Sequence, residues 1–173
     1  MLLMLDKITR QTHHLLIARK KTVAVAESCT GGMLSAALTS LPQASEYFLL
    51  GAITYSNRSK ELILDVPAGI IAKHGAVSCV CARLMAENIR KKMRADFGIS
   101  VTGIAGPSGA TPGKSTGTVY IGVAARNKNI CRKFIFSGNR PSIRKKAVYK
   151  ALHLLCAHLS PSNLPRRLKK SWA

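Results

Sequence analysis

Apolar positions along this chain switch repeatedly between a helical and a strand period. Leu5, Ile8, Leu15 and Leu16 lie at helix-like spacing and predict an opening helix over residues 5–19. Thr22-Val23-Ala24-Val25-Ala26 is a short, β-branched run that predicts a buried strand, and residues 33–38 beyond it read as helix. After a break at Leu41-Pro42, residues 49–55 predict a second strand. Ser56 or Asn57 can cap a helix reaching about residue 64, and residues 67–73 make a further helical turn or two. Residues 80–94 are amphipathic, with Leu84, Ile89 and Met93 on one side and Arg90, Lys91, Lys92 and Arg94 mostly on the other. Residues 97–101 predict a third strand that runs into a glycine-rich stretch, 102–117. Residues 118–125 and 130–136 predict a β-hairpin through 126–129, and a last helix spans about 141–157. Helix and strand alternate, which is the pattern of an α/β domain with about five strands.

Length changes this picture little: 173 residues fit one domain, taken as 1–160, followed by a basic tail, 161–173, with Pro161, Pro165 and Arg166-Arg167-Leu168-Lys169-Lys170. Apolar residues make up 47% of the chain, enough for one sizeable core, and no apolar run reaches the roughly 18–20 residues of a membrane span. The apolar opening Met1 to Leu5 is interrupted by Asp6 and Lys7 and lacks a leader pattern, so a soluble, cytoplasmic protein with no membrane partner is expected. Five scattered cysteines, Cys29, Cys79, Cys81, Cys131 and Cys156, fit reduced thiols better than a disulfide framework.

Charge changes it more. Lys and Arg number 27 against 7 Asp and Glu, a formal net of +20. Such a surplus attracts polyanions. The basic residues are nevertheless spread over every segment, and aromatics are only 5%, which leaves few stacking platforms for single strands. A phosphate-bearing small ligand on a generally basic chain is therefore favoured over a dedicated nucleic-acid binder.

In open α/β sheets ligands bind beyond the carboxyl ends of strands. Three stretches fall at such points: 27–32, 55–60 and 102–117. Ser28 follows a strand and precedes Gly31-Gly32 and a helix, which suits a nucleophile set over backbone amides and equally suits a helix cap. It lacks the Gly-x-Ser-x-Gly elbow, since Ala26 stands two residues before it. Cys29 beside it is a rival nucleophile or a small buried residue. The histidines His13, His14, His74, His153 and His158 form no zinc-type pair, and acids are too few for a Ser-His-Asp triad. Lys60 can act as a base if burial lowers its pKa, although a solvated lysine is the default for one cation among 27. Cys79-Val80-Cys81 lacks a partner pair for metal, and residues 103–109 hold no Walker loop. No metal and no cofactor is expected.

Five motifs in order carry a resemblance: Ala26-Glu27-Ser28-Cys29-Thr30-Gly31-Gly32, Thr54-Tyr55-Ser56-Asn57, His74-Gly75-Ala76-Val77-Ser78, Thr102-Gly103-Ile104-Ala105-Gly106-Pro107 and Gly117-Thr118-Val119-Tyr120. In order and spacing the chain resembles the CinA C-terminal domain family over about residues 5–155. The resemblance implies a three-layer α/β/α sandwich around a mixed, mostly parallel sheet, usually dimeric. It implies deamidation of nicotinamide mononucleotide to nicotinic acid mononucleotide and ammonia, in pyridine nucleotide recycling. Carried over by position, it makes Ser28 the nucleophile, Lys60 its base and Tyr55 an aid to proton transfer. It assigns substrate binding to Glu27, Thr30, Gly31, Gly32, Asn57, Ser78, Thr102, Gly103, Ala105, Gly106 and Arg144, with Arg144 near the substrate phosphate. Longer members carry an additional N-terminal domain, whose activity is not carried over.

Three positions depart from the family pattern: Cys79 where Glu is common, Lys114-Ser115-Thr116-Gly117 where Lys-Pro-Val-Gly is usual, and Asn139 in place of Asp. None removes Ser28, Tyr55 or Lys60. The expected chemistry is attack of Ser28 on the carboxamide carbon with Lys60 as base, and amides of the 28–32 turn on the oxyanion. The alternatives are an amidase with another substrate and a basic module that binds nucleic acid on a re-purposed fold.

Overall fold

The computed structural model describes residues 2–159, so the basic tail read at 161–173 lies outside the described residues. Helices and strands fall close to their predicted places. Helix α1 spans Leu2–Ala18, β1 Val23–Glu27, α2 Met33–Leu38, β2 Phe48–Ile53, α3 Asn57–Leu64, α4 Ala68–His74, α5 Cys79–Lys92, β3 Phe97–Gly103, β4 Thr118–Ala125, β5 Lys128–Ile135 and α6 Arg140–Leu159. A single 3-10 turn, Ala44–Glu46, had no counterpart in the pattern. Pairing explains two shifted boundaries. Strand β3 continues to Gly103 because Thr102 and Gly103 pair with Tyr120 and Val119. The hairpin loop shortens to Arg126 and Asn127 because Lys128 already pairs with Ala125.

The five strands form one sheet in the order β2-β1-β3-β4-β5. Pairs β1·β2 and β1·β3 are parallel, and β3·β4 and β4·β5 are antiparallel, so only β4 runs against the others.

The two faces of the sheet are built from different residues. Val23, Val25, Ile99, Val101, Val119 and Ile121 are bulky and pack with Ile8 and Leu16 of α1, Leu34 and Leu38 of α2, and Ile143, Leu152 and Leu155 of α6. The opposite face carries Ala24 and Ala26, packed with Leu64, Ile71, Cys81, Met85 and Ile89 from the α3–α5 side. There α5 lies close to the sheet, because side chains are missing where its backbone arrives. A Cβ on Gly122 would meet the Ala82 carbonyl at 2.6 Å, and one on Gly98 would run into that of Ala86. Ser100 fits the same seam by donating its hydroxyl to the Ala82 carbonyl.

Strand β1 hands the chain to α2 on the first face, and its neighbour β2 hands it to α3 on the second. Neighbouring strands whose connections part in this way open a crevice at their carboxyl ends. The two sheet edges also differ: β5 carries Lys128, Arg132 and Lys133, whereas β2 has no charged residue and exposes Leu49, Leu50 and Ile53.

Candidate active site

The crevice beyond β1 and β2 holds a cleft of about 310 Å³. Ser28 stands at its base, where its backbone is pinned by donation from its amide to the Val101 carbonyl, 2.9 Å away. Across the cleft Ser56 caps α3 by accepting from the Ser59 amide at 3.0 Å, which sets Lys60 on the inner side of the first turns. Lys60 is 1% exposed, and its Nζ lies 3.2 Å from Ser28 Oγ. The same nitrogen reaches the carbonyls of Thr54 at 2.8 Å, Tyr55 at 3.2 Å and Ser56 at 3.4 Å. Burial lowers the Lys60 pKa from its ordinary value. Among the described residues no carboxylate pairs with it. Nζ thus faces three carbonyls and the Ser28 hydroxyl, and loss of its proton would leave a lone pair able to accept from that hydroxyl.

Cys29 also lines the cleft, but burial pushes its thiol up to about 11, away from the thiolate that a cysteine nucleophile needs. Most amides of the turn are committed. Gly31 N–H donates to the Ser28 carbonyl, Met33 N–H to that of Thr30, and Gly32 N–H to Glu27. The amides of Cys29 and Thr30 are those left for an oxyanion, so the expected donor set of the whole 28–32 turn narrows to these two.

The remaining expected site residues divide into two groups. Tyr55, Asn57, Thr102, Gly103, Ala105 and Gly106 line the cleft with Ser28 and Lys60. Of these, Tyr55 meets Lys60 through its carbonyl, while its phenol accepts from Arg140 at 2.9 Å at the cleft mouth. The others serve the walls. Glu27 is fully buried on the α2 side, where its carboxylate accepts from the amides of Gly32, Leu34 and Ser35 and from the Ser35 hydroxyl. Ser78 caps α5 by accepting from the Cys81 amide. Arg144 donates to the Thr30 carbonyl at 2.6 Å, and its guanidinium would meet a Cβ on Gly31, so it braces the turn from behind. Thr30 is fully buried and Gly32 supplies an amide to Glu27, which puts both in the same brace.

Arg140, which the sequence reading did not single out, stands at the mouth, whereas Arg144, expected near the substrate phosphate, lies behind the turn. The Arg140 guanidinium donates to the Gly106 carbonyl at 2.8 Å as well as to Tyr55. The signal was available, because residues 140 and 144 are one helical turn apart and share a face. The lining contains Lys60 and Arg140 and no carboxylate, which makes the mouth receptive to an anion. Among the described residues no group of three or more His, Cys, Asp or Glu gathers as a metal site.

The family model described as the CinA C-terminal domain matches residues 5–159. A CinA-like protein of Anaeromyxobacter sp. (strain Fw109-5) is 46% identical over 81% of this chain, and one of Thermotoga neapolitana is 44% identical over 89%. The chain spans only 34% and 38% of the lengths of those two relatives. A crystal structure of the competence damage-inducible protein A (ComA) from Klebsiella pneumoniae superposes with a TM-score of 0.87 at 35% identity, covering 90% of this chain and 96% of that one.

Proposed function

We propose that this chain, which belongs to the CinA C-terminal domain family, is an amidohydrolase that converts nicotinamide mononucleotide to nicotinic acid mononucleotide and ammonia. The observation that carries this reading is the contact of a buried, acid-free lysine with a serine hydroxyl at the base of the cleft. Lys60 takes the hydroxyl proton as Ser28 Oγ bonds to the carboxamide carbon, and the amides of Cys29 and Thr30 receive the oxyanion. The proton passes to the departing nitrogen, the carbon–nitrogen bond breaks, and ammonia leaves. Water, deprotonated by Lys60, then attacks the ester and returns Ser28 with the carboxylate product. This sequence calls for no metal or cofactor.

Arg140 supports an anionic substrate, because a guanidinium at the mouth offers donors to a phosphate in paired geometry. Thr102, Gly103, Ala105 and Gly106 form the wall against which the ring is placed, with Asn57 opposite. A homodimer is part of the proposal. The uncharged β2 edge exposes Leu49, Leu50 and Ile53 beside Leu62 and Ile63 of α3, and a second copy can extend the sheet by antiparallel pairing there. Light scattering at micromolar concentration tests this, and a monomer throughout would remove it. Among the described residues no helix is long and apolar enough to cross a membrane, and we place the reaction in the cytoplasm.

The test is ammonia release from nicotinamide mononucleotide by the purified chain, with nicotinamide riboside as the phosphate-free control. Turnover of the nucleotide that exceeds that of the riboside supports the reading and the role of Arg140. A folded chain that releases ammonia from neither refutes it. Tight, steeply salt-dependent retention of nucleic acid on a filter would then favour the re-purposed alternative.

A further inference from the structure

Cys79 opens α5, and Cys131 stands mid-strand in β5 at the far edge of the sheet. Packing brings them together. Cys131 is registered opposite Gly122, and Gly122 lies under the carbonyl of Ala82, in the first turn of α5. Asn129 is two residues before Cys131, so it projects on the same face, where it donates to Glu87 of α5 at 3.1 Å. Helix α5 therefore runs over β5 with its first turn above Cys131. The Cys79 thiol is close enough to act on Cys131, whose pKa is pushed up by burial and by this neighbour. Both are free, Cys79 exposed and Cys131 half-buried.

We propose that Cys79 and Cys131 form a reversible redox pair, closed by exchange with a small-molecule disulfide, that ties the start of α5 to the β5 edge. Exposed Cys79 reacts first. Its thiolate attacks one sulfur of R–S–S–R, the S–S bond breaks, and the other sulfur leaves and is protonated to RSH. Cys131 gives up its proton and attacks the Cys79 sulfur of the mixed disulfide, which releases the second RSH. One protein disulfide and two RSH result, and two electrons have passed from the protein thiols to the reagent. Arg83 and Arg132 beside Cys131 favour its thiolate, while burial holds the thiol above its ordinary range, which suits a resolving role that begins only after Cys79 has been engaged.

The tie would act on the cleft wall. Ser78 caps α5 immediately before Cys79, and Ala76 and Val77 just upstream line the cleft. Thr102 Oγ1 donates to the Ala76 carbonyl at 2.9 Å, so this loop is joined to the opposite wall strand as well.

The experiment is oxidised glutathione on the native chain, read by intact mass and peptide mapping. The expected product has lost the mass of two hydrogens, links Cys79 to Cys131 within one chain, melts higher, and reverts with dithiothreitol. The Cys131→Ser variant should stop at a glutathione adduct on Cys79, and Cys79→Ser should leave Cys131 unmodified. A wild type that keeps a glutathione adduct on Cys79, forms a disulfide between chains, or keeps both thiols free would overturn the proposal. The readout is mass, so it stands or falls independently of the amidohydrolase activity.

Discussion

Glu27 and Lys60 are both buried beside the carboxyl end of β1, on opposite faces of the sheet, and the structure treats them in opposite ways. On the α1, α2 and α6 face Glu27 receives four donors from the start of α2. A carboxylate there satisfies helix amides that would otherwise be orphaned and opposes the positive end of the helix. On the α3, α4 and α5 face Lys60 meets only backbone carbonyls and a hydroxyl. Placing the two ions together would have given a stable pair with nothing left to react. Holding them apart leaves Glu27 as a brace and leaves Lys60 without a carboxylate partner, its pKa lowered by burial, as the proposed base requires.

Replacement of each member sharpens that contrast. Ser28→Ala should show the largest effect, a loss of at least about 10³-fold in turnover with an unchanged melting temperature, since it deletes the proposed nucleophile. Lys60→Met should lower kcat by about 10²–10⁴-fold, the range for general-base removal. In the wild type kcat/KM should rise about tenfold per pH unit while Lys60 is still protonated and then level off. Burial lowers the Lys60 pKa, so that break should fall below the roughly 10.4 of a free lysine. A flat profile through that range would remove Lys60 as the base. Glu27→Ala should contrast with Lys60→Met. It leaves buried amides unpaired and should cost about 3 kcal/mol of stability, read by denaturant titration, while surviving folded protein keeps its chemical step. The smallest change is expected for Cys29→Ala, at most a few-fold in kcat. A collapse of activity in that variant would transfer the nucleophile to the thiol.

Much of this arrangement was legible from residue order. Strand and helix patterns located all the strands and α-helices, because the central strands β1, β3 and β4 are buried apolar runs and α5 carries an apolar stripe. Ser28 and Lys60 were reachable through strand-end logic and the resemblance together. The 3-10 turn at Ala44–Glu46 was not, since three residues carry no period. The division of labour within the motifs was also hidden. Glu27, Thr30 and Ser78 belong to the same signature stretches as the cleft residues, yet the side chains of Glu27 and Ser78 serve helix starts and the Thr30 carbonyl is held by Arg144 behind the wall. Side-chain direction separates the two groups, and for Glu27 that direction follows from the pairing of β1 with β2 and β3. The helix face shared with Arg144 pointed to Arg140, but its contacts did not, because its partners Tyr55 and Gly106 are remote in sequence and meet only after the sheet is assembled.

The close seating of α5 on Gly98 and Gly122 limits how this chain can vary. A methyl group added at either position meets main-chain atoms, which cannot swing away as a side chain would, so the helix itself must move. The loop before α5 forms part of the cleft wall, so that displacement would be passed on to the cleft through Ala76 and Val77. Substitutions on the outer surface of α5 carry no such penalty. Of all the neutral changes open to a drifting lineage, these two hydrogen-for-methyl exchanges are closed unless the helix finds a second place to rest.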